Sequence, residues 1–159
     1  MLPRAYLSIE EIPGESLQAG HEETIEIHGL QWGVAQQQGE TVGRGRARAR
    51  TIINDVELTK ITDAASVYLI QACLKRTSLS KATLTFRSLG TDTVQDYLVI
   101  TMTNVIVSGV ELDQPPSDIN RKPTETVRLA FEEMKVLYTD FTGTTTAEHE
   151  IAFDRVAGF

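Results

Sequence analysis

Thr24-Ile25-Glu26-Ile27-His28-Gly29-Leu30-Gln31-Trp32-Gly33-Val34-Ala35 holds two alternations that are out of step. Ile25 and Ile27 share one parity; Leu30, Trp32 and Val34 share the other. Successive side chains of a strand point to opposite faces, so a period of two marks a half-buried strand. A parity change inside such a run needs one extra residue, and Gly29 stands where it falls. The run therefore reads as one strand from 24 to 35 with a bulge at Gly29. Leu30, Trp32 and Val34 carry its apolar set, with Trp32 pointing into the core. Gln31, Gly33 and Ala35 face away from it.

The same period extends outward in both directions. Leu7 and Ile9 open an earlier strand, which Pro13-Gly14 ends. Residues 37–50 lack periodicity and contain Gly39, Gly43 and Gly45, as a long flexible hairpin loop does. A strand resumes through Ile52, Val56 and Leu58. Helical spacing appears once, in Val67, Ile70, Cys73 and Leu74. Thr62 or Asp63 can cap that helix, and Lys75 and Arg76 complement its C-terminal dipole. Ala82, Leu84 and Phe86 then alternate, and Gly90-Thr91-Asp92 reads as a turn. A long Val-, Ile- and Thr-rich run spans 94–112, with a bend expected at Gly109. Val127, Leu129 and Phe131 alternate, and Met134, Val136 and Tyr138 continue with shifted parity. A second bulge is expected near Glu132-Glu133. Residues 113–123 and 140–148 read as polar loops, and Ile151 and Phe153 as a short terminal strand. The expected fold is mainly β: a bulged antiparallel β-barrel of two packed sheets, with one α-helix on its side. Residues 1–159 are expected to form a single domain.

Composition narrows the function classes. The 159 residues are 41% hydrophobic and 23% charged, with a net charge of −7. An acidic total argues against non-specific nucleic-acid binding. Cys73 is the only cysteine, so no disulfide can form within the chain. The first residues lack the apolar core of a signal peptide, and no stretch approaches a membrane-spanning length. Expected partners thus include neither nucleic acid nor membrane.

Catalytic chemistry finds little purchase. His21-Glu22-Glu23 starts like a zinc-protease motif, but Thr24 and Ile25 follow where a second His would be needed. Three histidines without ligand spacing read as polar strand-edge residues, and no metal or cofactor is expected. Cys73, on the apolar stripe of the helix, reads as a small core residue. Gly14-Glu15-Ser16 is no nucleophile elbow, since Gln18 replaces the final glycine. No set of nucleophile, base and oxyanion donor can be named, so the chain reads as a non-enzyme.

The segment least in character is Arg44-Gly45-Arg46-Ala47-Arg48-Ala49-Arg50. If it is extended, Arg44, Arg46, Arg48 and Arg50 lie on one face. The segment could be a solvated hairpin edge or a nucleic-acid arm. The reading that fits best is a basic loop docking on the acidic surface of an identical neighbour. Such a contact is heterologous and repeats into a stack or filament.

Several segments resemble the Hcp (haemolysin-coregulated protein) family of type VI secretion systems. They are Gly14-Glu15-Ser16, Ile25-Glu26-Ile27, Trp32-Gly33 with Gln36, and Asp55-Val56-Glu57-Leu58-Thr59-Lys60 leading into Asp63-Ala64-Ala65-Ser66. Tyr97-Leu98-Val99-Ile100-Thr101-Met102 and Glu125-Thr126-Val127-Arg128-Leu129-Ala130-Phe131 are similar too. The resemblance spans residues 5–156. It implies hexameric rings that stack into an inner tube, exported by sheath contraction and able to carry effectors in the lumen. The partners it implies are further copies of the chain, spike and sheath proteins, and secreted effectors. The location it implies is the cytoplasm, then the extracellular space, without a signal peptide. It also implies a ring-stacking role for the loop bearing Arg44, Arg46, Arg48 and Arg50. Gln31 occupies the position of a luminal residue that affects effector binding, and Leu30 replaces the family's first Trp there. A phage-like tail tube protein shares this architecture, and a monomeric small-ligand-binding barrel is a further alternative.

Overall fold

The computed structural model describes residues 5–37, 50–89, 94–141 and 146–156. Within them the chain forms β1 (Ala5–Ile9), β2 (Ile25–Ile27), β3 (Gly29–Gln31), β4 (Val34–Gln37), β5 (Arg50–Ile53) and β6 (Val56–Ile61). Helix α1 (Ala65–Lys75) follows, then β7 (Leu79–Leu89), β8 (Val94–Asp113), β9 (Thr124–Ala130), β10 (Glu133–Asp140) and β11 (Ala147–Asp154). All strand pairs are antiparallel.

Both expected bulges are changes of sheet. At His28 the chain leaves β2, which pairs with β1, and enters β3, which pairs with β6. At Phe131-Glu132 it leaves β9, which pairs with β6 and β8, and enters β10, which pairs with the earlier half of β8. A parity slip records which face is buried, and the buried face also changes when a strand passes to another sheet. Gly29 is thus the first residue of β3, lying against Thr59, its register partner.

The architecture is two packed sheets that share β8. One runs β2-β1-β7-β8-β10-β11, the other β8-β9-β6-β3. β8 is 20 residues long, and its pairing passes from one sheet to the other between Val105 and Ile106. Asn104, in the left-handed region at φ 51°, stands beside this junction. The expected bend at Gly109 is a register shift between Val107 and Gly109. A second shift lies between Phe86 and Arg87. The path of paired strands does not close as a barrel; it starts on β2 and ends on β3, two pieces of one segment.

The core fills the space between the sheets. Leu7, Ile25, Leu84 and Met102 face Leu58, Val107, Val127 and Leu129 across it. Trp32 is half-buried and packs on this core, as its parity predicts. Leu30 and Val34 do not join it; they are exposed, on the end strand β3 and on β4, which pairs with β5 in a separate two-stranded sheet.

The helix buries a different face from the one its large apolar residues suggest. Ala65, Ser66, Leu69 and Ala72 are buried, while Val67, Tyr68 and Leu74 face outward. The small side chains of Ala65, Ser66 and Ala72 let the helix lie close against the sheets, with Leu69 entering the core between them. Asp63 Oδ1 accepts the Ala65 N–H at 3.0 Å, so one of the two expected caps is in place. Arg76 ends the helix at φ 51°, and its N–H donates to the Cys73 carbonyl. Cys73 is a half-buried free thiol against the core.

Candidate functional site

β6 and β9 carry the most chemistry, with one set of charges on each face. Their register sets Glu57 opposite Arg128 and Lys60 opposite Glu125. Alternation then sends the first pair outward and the second inward.

On the outward face, Gln31 of β3 is the register partner of Glu57, so Gln31, Glu57 and Arg128 form a row across three strands. Arg128 Nε lies 3.3 Å from Glu57 Oε2, and its Nη1 lies 2.9 Å from Glu111 Oε1 on β8. The Glu111 hydrogen bond and charge raise the guanidinium further above its ordinary range, and Glu57 adds to this. Gln31, Trp32, Gly33, Asn54, Asp55 and Glu57 line a shallow hollow of about 240 Å³ beside this row. Asp55 pairs with Arg155 at 2.7 Å and accepts the Ser108 hydroxyl at 2.8 Å. Arg155 also donates to the Ile53 carbonyl and stacks over the Phe131 ring. Thr59 and Thr126 continue the face. It is a polar wall of paired charges, half-buried along most of its length, with Gln31 and Glu111 exposed.

On the inward face, Lys60 and Glu125 are fully buried. Lys60 Nζ donates to Glu125 Oε2 at 3.2 Å, Ser66 Oγ at 3.0 Å and the Ile61 carbonyl at 3.0 Å. Asp63 Oδ1 lies 2.8 Å from the same ammonium. The Ser66 hydroxyl accepts from Lys60 and from the Asp63 N–H, and donates to Glu125 Oε2. Glu125 Oε1 is buried without a hydrogen-bond partner. This cluster ties β6, β9 and the first turn of α1 together at one point. Sequence reading passed over it, yet the signal was present. Lys60 has the parity of Val56 and Leu58, and Glu125 that of Val127 and Leu129.

The Gly14-Glu15-Ser16 segment has a structural use. A Cβ on Gly14 would lie 2.3 Å from the Thr24 carbonyl oxygen, so only glycine lets these two backbones meet. Glu15 Oε1 accepts the Ala64 N–H at the start of α1. Ser16 is buried, and its hydroxyl accepts the Gln18 N–H. A cleft of about 270 Å³ lies here, lined by Glu15, Glu26, His28 and Asp63 among others. Two of its three carboxylates, Glu15 and Asp63, already serve the helix terminus.

The histidines are dispersed. His21 stacks on Tyr6 at 4.6 Å, with its Nε2 3.3 Å from Asp96, which also holds Arg87. Burial pushes the Tyr6 phenol above its ordinary pKa. This clasp pins the loop before β2 onto β7 and β8. His149 lies against Tyr138, and His28 is exposed. Among the described residues no group of three or more His, Cys, Asp or Glu could hold a metal ion.

The arginine run falls at the edge of what is described. Arg50 begins β5, exposed and opposite Gln37 in the β4–β5 hairpin. Arg44, Arg46 and Arg48 lie outside the described residues, as does the expected turn at Gly90-Thr91-Asp92. No helix among the described residues is long and apolar enough to cross a membrane.

Two packed antiparallel sheets with one helix on their side define a mainly β protein of the two-sheet class. The sequence pattern of the family described as "Type VI secretion system effector, Hcp" matches residues 6–138. The chain belongs to this Hcp family. It is 29% identical over 133 residues to Protein hcp1 of Pseudomonas aeruginosa, covering 84% of this chain and 81% of that protein. Hcp1 from Salmonella typhimurium superposes with a TM-score of 0.80 at 25% identity, over 99% of this chain and 97% of that one. A type VI secretion system effector from Yersinia pestis gives 0.77 at 23% identity, over 94% and 98%. A further structure described as a type six secretion system protein gives 0.84 at 21% identity, over 98% and 97%.

Proposed function

We propose that this chain is the tube subunit of a type VI secretion system. Copies assemble as hexameric rings, and the rings stack into a tube that sheath contraction expels. The tube meets spike and sheath proteins and carries effectors in its lumen. The subunit is made in the cytoplasm, leaves through the secretion machine, and acts as a structural protein without catalysis. Residues 1–159 act as one unit.

The observation that carries this reading is the match of nearly the whole chain to Hcp proteins, in sequence pattern and in fold. The polar wall around Gln31 supports a lumen-facing role, because its charges are paired and it presents no large apolar patch that would hold cargo fast. Gln31 is the effector contact in this reading. Arg44, Arg46, Arg48 and Arg50 carry the stacking of one ring on the next.

Size-exclusion chromatography with light scattering tests the ring, and negative-stain imaging tests the tube. A mass of six chains supports the reading; a monomeric mass at all concentrations sinks it. Stacking through arginines weakens as salt rises. Reversing two of these arginines to Glu is expected to leave rings intact and abolish tubes. Normal tubes from that variant would remove the arginines from the stacking contact.

A further inference from the structure

One guanidinium on the outward wall serves two carboxylates. Arg128 lies 3.3 Å from Glu57 Oε2 and 2.9 Å from Glu111 Oε1, so one negative charge of this trio is left over. Asp113, two residues beyond Glu111 on β8 and of the same parity, is exposed and without an ion pair among the described residues. Arg155, the other guanidinium here, is taken by Asp55. Carboxylates outnumber guanidiniums on this wall, and its field is negative.

The hollow of about 240 Å³ opens beside this row. Its lining is rich in hydrogen-bond acceptors and holds no cation. Arg128 takes Glu57 Oε2 and leaves Oε1 without a bond among the described residues. The side-chain amides of Gln31 and Asn54 are also without partners among the described residues, and each offers a carbonyl oxygen. Trp32 supplies the apolar part of the lining. The volume is that of about eight waters of the liquid, which is room for one long side chain.

We propose that this hollow takes a single basic side chain, arginine foremost, from a cargo polypeptide. The proposal rests on the lumen-facing reading of the Gln31 wall and names the chemistry of what passes there. A guanidinium is planar, always charged, rich in donors and without an acceptor. Glu57, Gln31 and Asn54 provide what it lacks, and its methylene stem would lie on Trp32. A cargo carboxylate would meet Glu57 and the uncompensated charge instead. Each contact is weak, as exposed ion pairs are. Copies in a ring would repeat the hollow, so a cargo with several basic side chains gains from all of them and is still released one contact at a time.

Trp32 makes the test direct. It is the only tryptophan of the chain, and its indole N–H donates to the Asn54 carbonyl at 2.8 Å, so a single NMR signal sits at the hollow. Nα-acetyl-argininamide is titrated against the protein, with the citrulline analogue as an uncharged control of the same shape. The expected result is a saturable shift with the arginine probe, far smaller with citrulline, that fades in 1 M NaCl. Glu57→Gln should weaken the arginine response about fivefold. Gln31→Glu adds a carboxylate to the lining and should strengthen it by a similar factor, a gain that damage to the fold does not imitate. An unmoved indole signal, or an equal shift from both probes, overturns the proposal. Light scattering on the same samples separates it from the tube reading. Rings with a silent indole remove the hollow and leave the tube. A monomer whose indole answers arginine keeps the hollow and removes the tube.

Discussion

Lys60–Glu125 and Glu57–Arg128 are opposite-charge pairs on the same two strands, at nearly the same separation: 3.2 Å and 3.3 Å. Their surroundings differ completely. The side chains of the first pair are 1% and 0% exposed, and those of the second are both 36% exposed. Distance therefore says little about what each pair contributes. A buried charge stripped of its partner keeps its full desolvation penalty, while an exposed one returns to water. The inward pair holds strands and helix in one arrangement; the outward pair tunes a surface.

Breaking the inward pair should give the largest effect. Glu125→Ala is expected to cost about 3–5 kcal/mol, read as a fall in the urea midpoint at unchanged slope. Replacing both partners, Lys60→Met with Glu125→Leu, should recover part of that loss, since neither fully buried charge then remains, while Asp63, 13% exposed, loses its ammonium partner. A cost below about 1 kcal/mol for Glu125→Ala would erase the contrast between the two faces.

Ser66→Ala comes next. It removes the hydroxyl that donates to Glu125 and accepts from Lys60 and the Asp63 N–H, and should cost about 1–3 kcal/mol by the same measurement. Asp63→Ala removes a helix cap and a second carboxylate near Lys60. A loss of about 1–2 kcal/mol is expected, with reduced amide protection confined to the first turn of α1.

Arg128→Ala should show the smallest effect. Its unfolding midpoint should be unresolved from that of the unaltered chain, and any difference at low salt should vanish in 1 M NaCl, where screening acts within about 3 Å. The same salt should leave the Glu125→Ala penalty in place. A large, salt-resistant loss in Arg128→Ala would mean that the outward row is covered in the folded protein, as it would be inside an assembly.

Much of this was legible along the chain, and the misreadings have one physical source. Alternation located the strands, and the two parity slips were real. They mark passages between sheets rather than bulges, because a period of two reports only which side is apolar. Val67, Ile70, Cys73 and Leu74 read as one apolar stripe because they recur at helical spacing, yet Val67 and Leu74 face outward. The sheets instead receive Ala65, Leu69 and Ala72, and helical spacing alone allows either face. The Lys60–Glu125 cluster was readable by parity, but a charged residue at an inward position is evident only once its partner, 65 residues away, is brought opposite. The four arginines stand out by composition. What they touch is not written in their own segment.

By itself the sequence determined a mainly β chain with one helix, a bend near Gly109 and family membership, because periodicity, turn residues and motif order are local or additive along the chain. Tertiary structure alone decided which sheet each strand joins, which helix face is buried and which of two similar ion pairs lies in the core. Those outcomes depend on contacts between distant residues, where register and burial rather than residue type set the energy.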